Sequence, residues 1–179
     1  MSSYAHLQKG MRMFAMFKGL FLILALFFTS LNQADEIDDL IRLKTYIAKY
    51  CRVNCVDAGV LLQALHDVKD NTSVNPRHML AIIRTESAFN VKASNLGNKG
   101  LSQVLLRYHR GKFKSTNYFD PSDNIRVGTS IFEACVKKHK ADTRQSFRCY
   151  NGYHLGDSKY YTKIQNNLKE LDSLNLNTV

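Results

Sequence analysis

The chain has 179 residues, 45% of them hydrophobic and 22% charged, with a net charge of +10. That length holds one domain and little more, and the apolar content suffices for a real core, which excludes a large multidomain protein and a wholly disordered one. Residues 1–34 carry Lys9, Arg12 and Lys18 but no acid, so the remainder keeps a spread-out excess of +7. Such an excess suits an anionic polymer or surface (cell wall, nucleic acid or membrane), and suits a merely solvated basic face equally well. No basic-aromatic motif accompanies it, so nucleic acid is not an expected partner.

In chain order, the first feature is an unbroken apolar run from Gly19 to Phe28, with basic residues before it and polar Thr29 to Gln33 after it. A basic lead, a short apolar core and a small residue at the end describe a secretory signal peptide over 1–34, cleaved after Ala34. The run is shorter than the roughly 20 residues of a spanning helix. Asn32 fits the small-x-small rule poorly, and an uncleaved membrane anchor is the alternative. Either way the chain is exported, to the periplasm or the cell wall, and a membrane is a partner only if the leader stays.

From residue 35 the pattern is helical. Ile37, Leu40, Ile41, Lys44 and Ile47 suggest one amphipathic helix, and Val56 to Val68 another, so residues 35–72 form a helical segment packing on the domain C-terminal to it. Asn75-Pro76 is a helix start, with a capping side chain and then proline at the first helical position. That helix runs to about Ala88, and residues 89–100 read as loop, broken by Gly97 and Gly100. Asp120-Pro121-Ser122 opens another helix to about His139, and further helices are expected at 142–151 and 158–171. The main domain spans 73–172, and residues 173–179 read as a frayed tail. Four cysteines in an exported chain favour disulfides, with three possible pairings. The local pairing, Cys51–Cys55 with Cys135–Cys149, is preferred over buried thiols. With no Cys-x-x-Cys, neither a zinc site nor any other metal or cofactor is expected.

Glu86 is the most informative residue. Met79, Ile82, Ile83 and Glu86 fall at i, i+3, i+4 and i+7, the face a helix turns inward. A carboxylic acid there loses hydration and stays protonated near neutrality, which suits a general acid for glycosidic cleavage. The bland alternative is a structural glutamate paired with Arg84, Arg77 or a lysine.

The surrounding sequence weighs on that choice. From Glu86 the chain reads ESAFNVKASNLGNKGLSQ, which resembles one block of the lytic transglycosylases with a goose-lysozyme-like SLT domain, in which E-S-x-F-N-P-x-A is followed by G-A-x-G-L-M-Q. Pro121 to Gly128 is similar to the family's P-x-x-N-I-x-x-G, Cys149-Tyr150-Asn151-Gly152 to its A-Y-N-A-G, and Tyr160 to Ile164 to its closing Y-V-x-x-V. Four blocks in order cover roughly residues 74–165. The resemblance implies a mainly α, lysozyme-like single domain with Glu86 as catalytic acid. It also implies substrate contacts or loop support from Ser87, Ser94, Gly100, Leu101, Gln103, Tyr150 and Asn151. For Tyr150 the alternative is a core aromatic, and for Gln103 or Asn151 a helix-end cap.

The chain departs from the pattern at Val91, Asn98, Ser102 and Leu106, where proline, alanine, methionine and proline are usual. The Ala93 to Gly97 segment is one residue short, and Asn151-Gly152 lacks the intervening small residue. These positions bear on the shape of the groove more than on the acid.

Ordinary glycosidases use two carboxyl groups. After Glu86 the next acids are Asp120, Asp123, Glu133 and Asp142, which read as helix-start or solvated residues. A one-acid mechanism is what the resemblance implies, with the glycan strands of peptidoglycan as substrate and 1,6-anhydro ends as product. A hydrolytic lysozyme and a non-catalytic cell-wall-binding protein are the alternatives. A secretion, conjugation or pilus apparatus is the sort of partner that small enzymes of this family serve.

Overall fold

In a computed structural model the described residues are 33–152 and 157–176. The leader reading of 1–34 therefore lies outside them, apart from its last two residues, as do 177–179. Among the described residues no helix is long and apolar enough to cross a membrane. Residues from Asp39 onward form one compact unit.

Helix α1 covers described residues 33–50, α2 is Ala58–Asn71 and α3 is Pro76–Ser87. Two-residue strands come next, β1 at Ser94–Asn95, β2 at Asn98–Lys99 and β3 at Val104–Leu105, then short α4 at Leu106–His109 and a 3-10 turn at Arg110–Lys112. The chain ends in α5 (Pro121–Lys138), α6 (Thr143–Tyr150) and α7 (Asp157–Asp172).

Side chains start these helices, as expected at Asn75 and Asp120. Asp57 accepts from the amides of Gly59 and Val60, Asn75 from Arg77, Asp120 from Asp123 and Asp142 from Gln145. Pro76 and Pro121 occupy first-turn positions, where the missing N–H has no partner to lose.

α3 is the buried spine. Met79, Leu80, Ala81, Ile82 and Ile83 are wholly buried, so apolar residues meet protein on every face. α2 packs against α3 and α5, α7 against α3, and α6 against α5 and α7. Behind α3, Phe132 stacks on Phe147 with ring centres 4.9 Å apart, and His78 and Tyr150 meet them edge-on. Burial lowers the pKa of His78 below its ordinary value, with Arg77 adding to the effect.

Three expectations are corrected. The buried face of α1 is Leu43, Tyr46 and Ile47, while Ile37 and Ile41 are 51% and 58% exposed. Two helical stripes compete in this segment, and the one bearing Tyr46 offers more surface to bury against Phe89. Within residues 89–100, read as loop, lie the first two strands of a three-stranded antiparallel meander ordered β1-β2-β3. Strands of two residues are too short for any alternating pattern. The tail is not frayed through residue 176. Leu176 is buried, Leu174 packs on the core, and the Arg42 guanidinium donates to the carbonyls of Leu174 and Asn175.

Both expected disulfides are present, Cys51–Cys55 in the α1–α2 connection and Cys135–Cys149 joining α5 to α6. The second closes a loop of 14 residues, for which loss of chain entropy in the unfolded state stabilises by about 3 kcal/mol. Cys135→Ala with Cys149→Ala is expected to lower unfolding stability by about that amount in denaturant titration. An unchanged midpoint at an unchanged slope would show that the bond does not stabilise the fold.

Candidate functional site

Glu86 sits in the last turn of α3, where the helix leaves the core. Ala88 and Phe89 then take left-handed conformations (φ 47° and 66°) that turn the chain sharply away. The carboxyl is partly buried and opens into a cleft of about 610 Å³. The cleft is also lined by Asn95, Asn98, Gln103, Val104, Leu105, Arg107, Tyr108, His109, Ile131, Cys149, Tyr150, Asn151 and Gly152.

Neither arginine suggested as a structural partner pairs with Glu86. Arg84 pairs with Glu170 at 2.7 Å and Arg77 pairs with Asp172. Glu86 instead accepts a hydrogen bond from the Tyr160 hydroxyl at 2.8 Å. Loss of hydration raises its pKa from the ordinary 4.5 to about 7, opposed by the Tyr160 hydrogen bond and by the charge of Lys163. Burial and the nearby Glu86 charge push both Tyr150 and Tyr160 above the usual phenol range, so both keep their protons.

The acids that follow Glu86 in the sequence up to Asp142, and Glu170, are committed elsewhere. Asp120 and Asp142 cap helices, Asp123 pairs with Arg126, Glu133 with Lys137, and Glu170 with Lys49 and Arg84. A separate hollow of about 440 Å³ between α2 and α5 is lined by Asp67, Asp120 and Asp123 among others. Its carboxylates already serve Gln63, the α5 cap and Arg126. Among the described residues lining the Glu86 cleft, no second carboxyl is present.

Of the residues singled out in the sequence, Gln103, Tyr150 and Asn151 meet Glu86 in the cleft. Tyr150 donates to the Ser102 carbonyl at 2.7 Å and Gln103 to the Gly100 carbonyl at 2.9 Å. Asn151 is also the C-cap residue of α6. Four do not line the cleft. Ser87 bonds back to the Ile83 carbonyl within α3, Ser94 is exposed beside Lys99, and Gly100 and Leu101 lie buried under the loop. Ser102 also lies inside, wholly buried against α5 rather than in the groove.

In the sequence Asn124, Gly128 and Tyr160 stand out only as members of blocks, and the structure shows what each does. Asn124, fully buried, accepts from the Ser102 amide at 2.8 Å and donates to the carbonyls of Lys99 (2.9 Å) and Tyr118 (3.0 Å). It thereby clamps the Gln103 loop onto α5. Gly100, at φ +73°, gives the Asn124 side chain room, since a Cβ would stand 2.3 Å from it. Gly128 lets the loop approach from the other side, for its Cβ would lie 2.4 Å from that of Ser102. Asn95 and Asn98 fall inside the block that follows Glu86, Asn98 as a departure from it, while the cleft residues Arg107, Tyr108, His109 and Ile131 lie outside every block.

Because the Tyr160 hydroxyl favours the ionised form of Glu86, Tyr160→Phe is expected to raise the Glu86 pKa beyond about 7. A ¹³C carboxyl titration by NMR reads this directly. A pKa that falls or stays put would show that the hydrogen bond is not what opposes burial. The same shift sets a stability window. Unfolded glutamate releases its proton near 4.5 and the folded one near 7, so the folded state binds more protons between them. Stability therefore falls as pH rises through that interval, by on the order of 3 kcal/mol once complete. Glu86→Gln, which has no proton to lose, is expected to be the more stable protein at pH 8 and to show no such advantage at pH 4. Equal unfolding free energies at pH 8 would contradict the burial assigned to this carboxyl.

A family model described as the transglycosylase SLT domain matches residues 64–175, from the middle of α2 to beyond the end of α7. No solved structure gives a significant match to the chain. The matched segment contains Glu86 and every residue of its cleft. The chain therefore belongs to the transglycosylase SLT-domain family, the lysozyme-like lytic transglycosylases that act on peptidoglycan.

Proposed function

We propose that this protein is an exported lytic transglycosylase that cleaves the β-1,4 bond between N-acetylmuramic acid and N-acetylglucosamine, leaving 1,6-anhydromuramoyl ends. The observation that carries the reading is a carboxyl raised to about 7 by burial, with no second carboxyl among the described residues of a cleft rich in amide and hydroxyl side chains. Near neutrality a substantial fraction is protonated and able to donate, as a general acid must be.

The chemistry follows from having one such group. Glu86 gives its proton to the glycosidic oxygen as the bond to the muramoyl C1 breaks. The oxygen of the substrate's own N-acetyl group supports the electron-poor C1, a role that otherwise falls to a second protein carboxylate. The Glu86 carboxylate then takes the proton from the muramoyl C6 hydroxyl, whose oxygen bonds to C1 and closes the anhydro ring. The proton is back on Glu86, and no water is consumed. Cycling between acid and base favours a pKa near the working pH, and Tyr160 and Lys163 keep the value from climbing further.

Gln103, Tyr150 and Asn151 are proposed to hold the sugar in the cleft, with Ser87, Ser94, Gly100 and Leu101 acting by supporting the meander and loop. Two disulfides fit an oxidising compartment, the periplasm or the outside of the cell. Local opening of the wall for a secretion, conjugation or pilus apparatus would suit a domain this small.

The test is digestion of purified peptidoglycan sacculi. Wild-type protein is expected to release soluble muropeptides, and Glu86→Gln to lower the rate roughly 100- to 10,000-fold, the usual worth of a positioned acid. Activity should fall as pH rises through about 7, where Glu86 loses its proton. Retention of activity in the glutamine variant would remove Glu86 from its role. Absence of release by wild type would favour a wall-binding protein of the same fold.

A further inference from the structure

Between Glu86 and Asp120 the sequence has no acidic residue, yet it carries Lys92, Lys99, Arg107, Arg110, Lys112 and Lys114. Folded, this stretch forms the meander and the arm made by α4 and the 3-10 turn. Several arginines among the described residues are satisfied by protein. Arg77, Arg84 and Arg126 pair with carboxylates, and Arg42 with main-chain carbonyls. Arg107 and Arg110, both exposed, form no ion pair among the described residues. The Arg107 guanidinium donates to the Tyr108 hydroxyl at 2.7 Å and lies 4.6 Å from the centre of that ring, which is itself 66% exposed.

Arg107 belongs to two hollows at once. It lines the Glu86 cleft, and it also lines an adjoining hollow of about 420 Å³ whose other walls are Leu106, Arg110 and Tyr118. That side pocket presents two guanidinium groups, a phenol and one apolar surface, with no carboxylate in its lining. A planar guanidinium binds carboxylate through paired, charge-assisted hydrogen bonds, whereas a neutral sugar offers it hydroxyls without the opposite charge.

On the reading of the cleft as a glycan-strand site, the muramoyl units beside it carry a lactyl arm. That arm ends in a free carboxylate when bare, or in a peptide with carboxylates of its own. We propose that Arg107 and Arg110 form a carboxylate-reading pocket beside the cleft that selects glycan strands by the anionic groups on this arm. The catalytic carboxyl then acts on a strand whose side group, as well as its sugars, has been checked.

The test uses the full chain carrying Glu86→Gln and measures calorimetric binding of three soluble strands. One bears native peptides, one has been stripped to bare lactyl carboxylates by an amidase, and one has its peptide carboxylates converted to amides. The amidated strands are expected to bind about tenfold more weakly than the native ones. Adding Arg107→Gln and Arg110→Gln is expected to make the native and amidated strands equivalent. Stripped strands that bind like native ones show that a carboxylate at either place on the arm is read, and stripped strands that bind like amidated ones confine recognition to the peptide. Lys44→Gln with Arg52→Gln removes the same charge at exposed sites off the cleft, and should leave the tenfold preference intact.

Equal binding of native and amidated strands, a preference that survives loss of both arginines, or one that vanishes in the Lys44/Arg52 control would each overturn the pocket. Wild-type digestion is read separately. A charge preference without muropeptide release upholds the pocket and defeats the lytic reading, and release without a charge preference does the reverse. A protein that binds no strand at all defeats both.

Discussion

The antiparallel seam between α3 and α7 is the constraint on which the site depends. Arg77 meets Asp172, Arg84 meets Glu170, the Asn167 amide reaches Thr85 at 2.8 Å, and Tyr160 reaches Glu86 at the open end. Each contact is modest, and those at the surface contribute little on their own. Together they fix the rotation of α7 about its axis, so that one phenol stands over one carboxyl. Glu170 extends the seam to α1 by pairing with Lys49 and Tyr50, and Arg84 lies 3.7 Å from the centre of the Tyr50 ring. The N-terminal helix is thereby part of the support of the site, although it lines none of the cleft.

A second set of contacts holds the facing wall. Asn124 ties Lys99, Ser102 and Tyr118 together, Gly100 and Gly128 allow the approach, and Tyr150 closes onto the Ser102 carbonyl. The α6 residues that reach the cleft are held by the Cys135–Cys149 bond on one side and by Phe132 on the other. Glu86 thus faces a wall whose polar main-chain groups are already satisfied. What the wall offers to a ligand is its side chains, the amides of Asn95, Asn98, Gln103 and Asn151 together with Arg107, Tyr108 and His109. The clamp also accounts for a departure in the sequence. Serine at position 102 is small enough to lie beneath the loop against Gly128, so its effect on the groove is indirect.

Much of this was legible in the sequence, for identifiable reasons. The start of α3 was written in Asn75-Pro76, and its buried face in Met79, Ile82 and Ile83, because capping and period are local properties. The two disulfide pairings followed from proximity along the chain. Glu86 stood out because a carboxyl on an apolar stripe conflicts with its surroundings, and such conflicts mark sites. What could not be read was long-range or very short. Tyr160 lies 74 residues from its partner, and helical periodicity says which face is buried but not which helix it meets. The meander has strands of two residues, held by Gly97, Gly100 and the Asn124 clamp rather than by a pattern of its own. In α1 two stripes competed, and the choice between them was settled by Phe89 and Glu170 on distant segments.

Burying an ionisable group in this way destabilises the folded state at neutral pH in exchange for a proton held ready for transfer, a familiar tension between stability and activity. The proposed one-acid mechanism and hydrolysis differ in the oxygen that ends up on the muramoyl C1. Digestion of sacculi in ¹⁸O-labelled water, with mass spectrometry of the muramoyl ends, tests this most directly. The ends are expected to be lighter than the reducing sugar by one water and free of ¹⁸O, because the C6 hydroxyl supplies the incoming oxygen. Reducing ends carrying one ¹⁸O would show that water attacks, and would contradict the one-carboxyl mechanism.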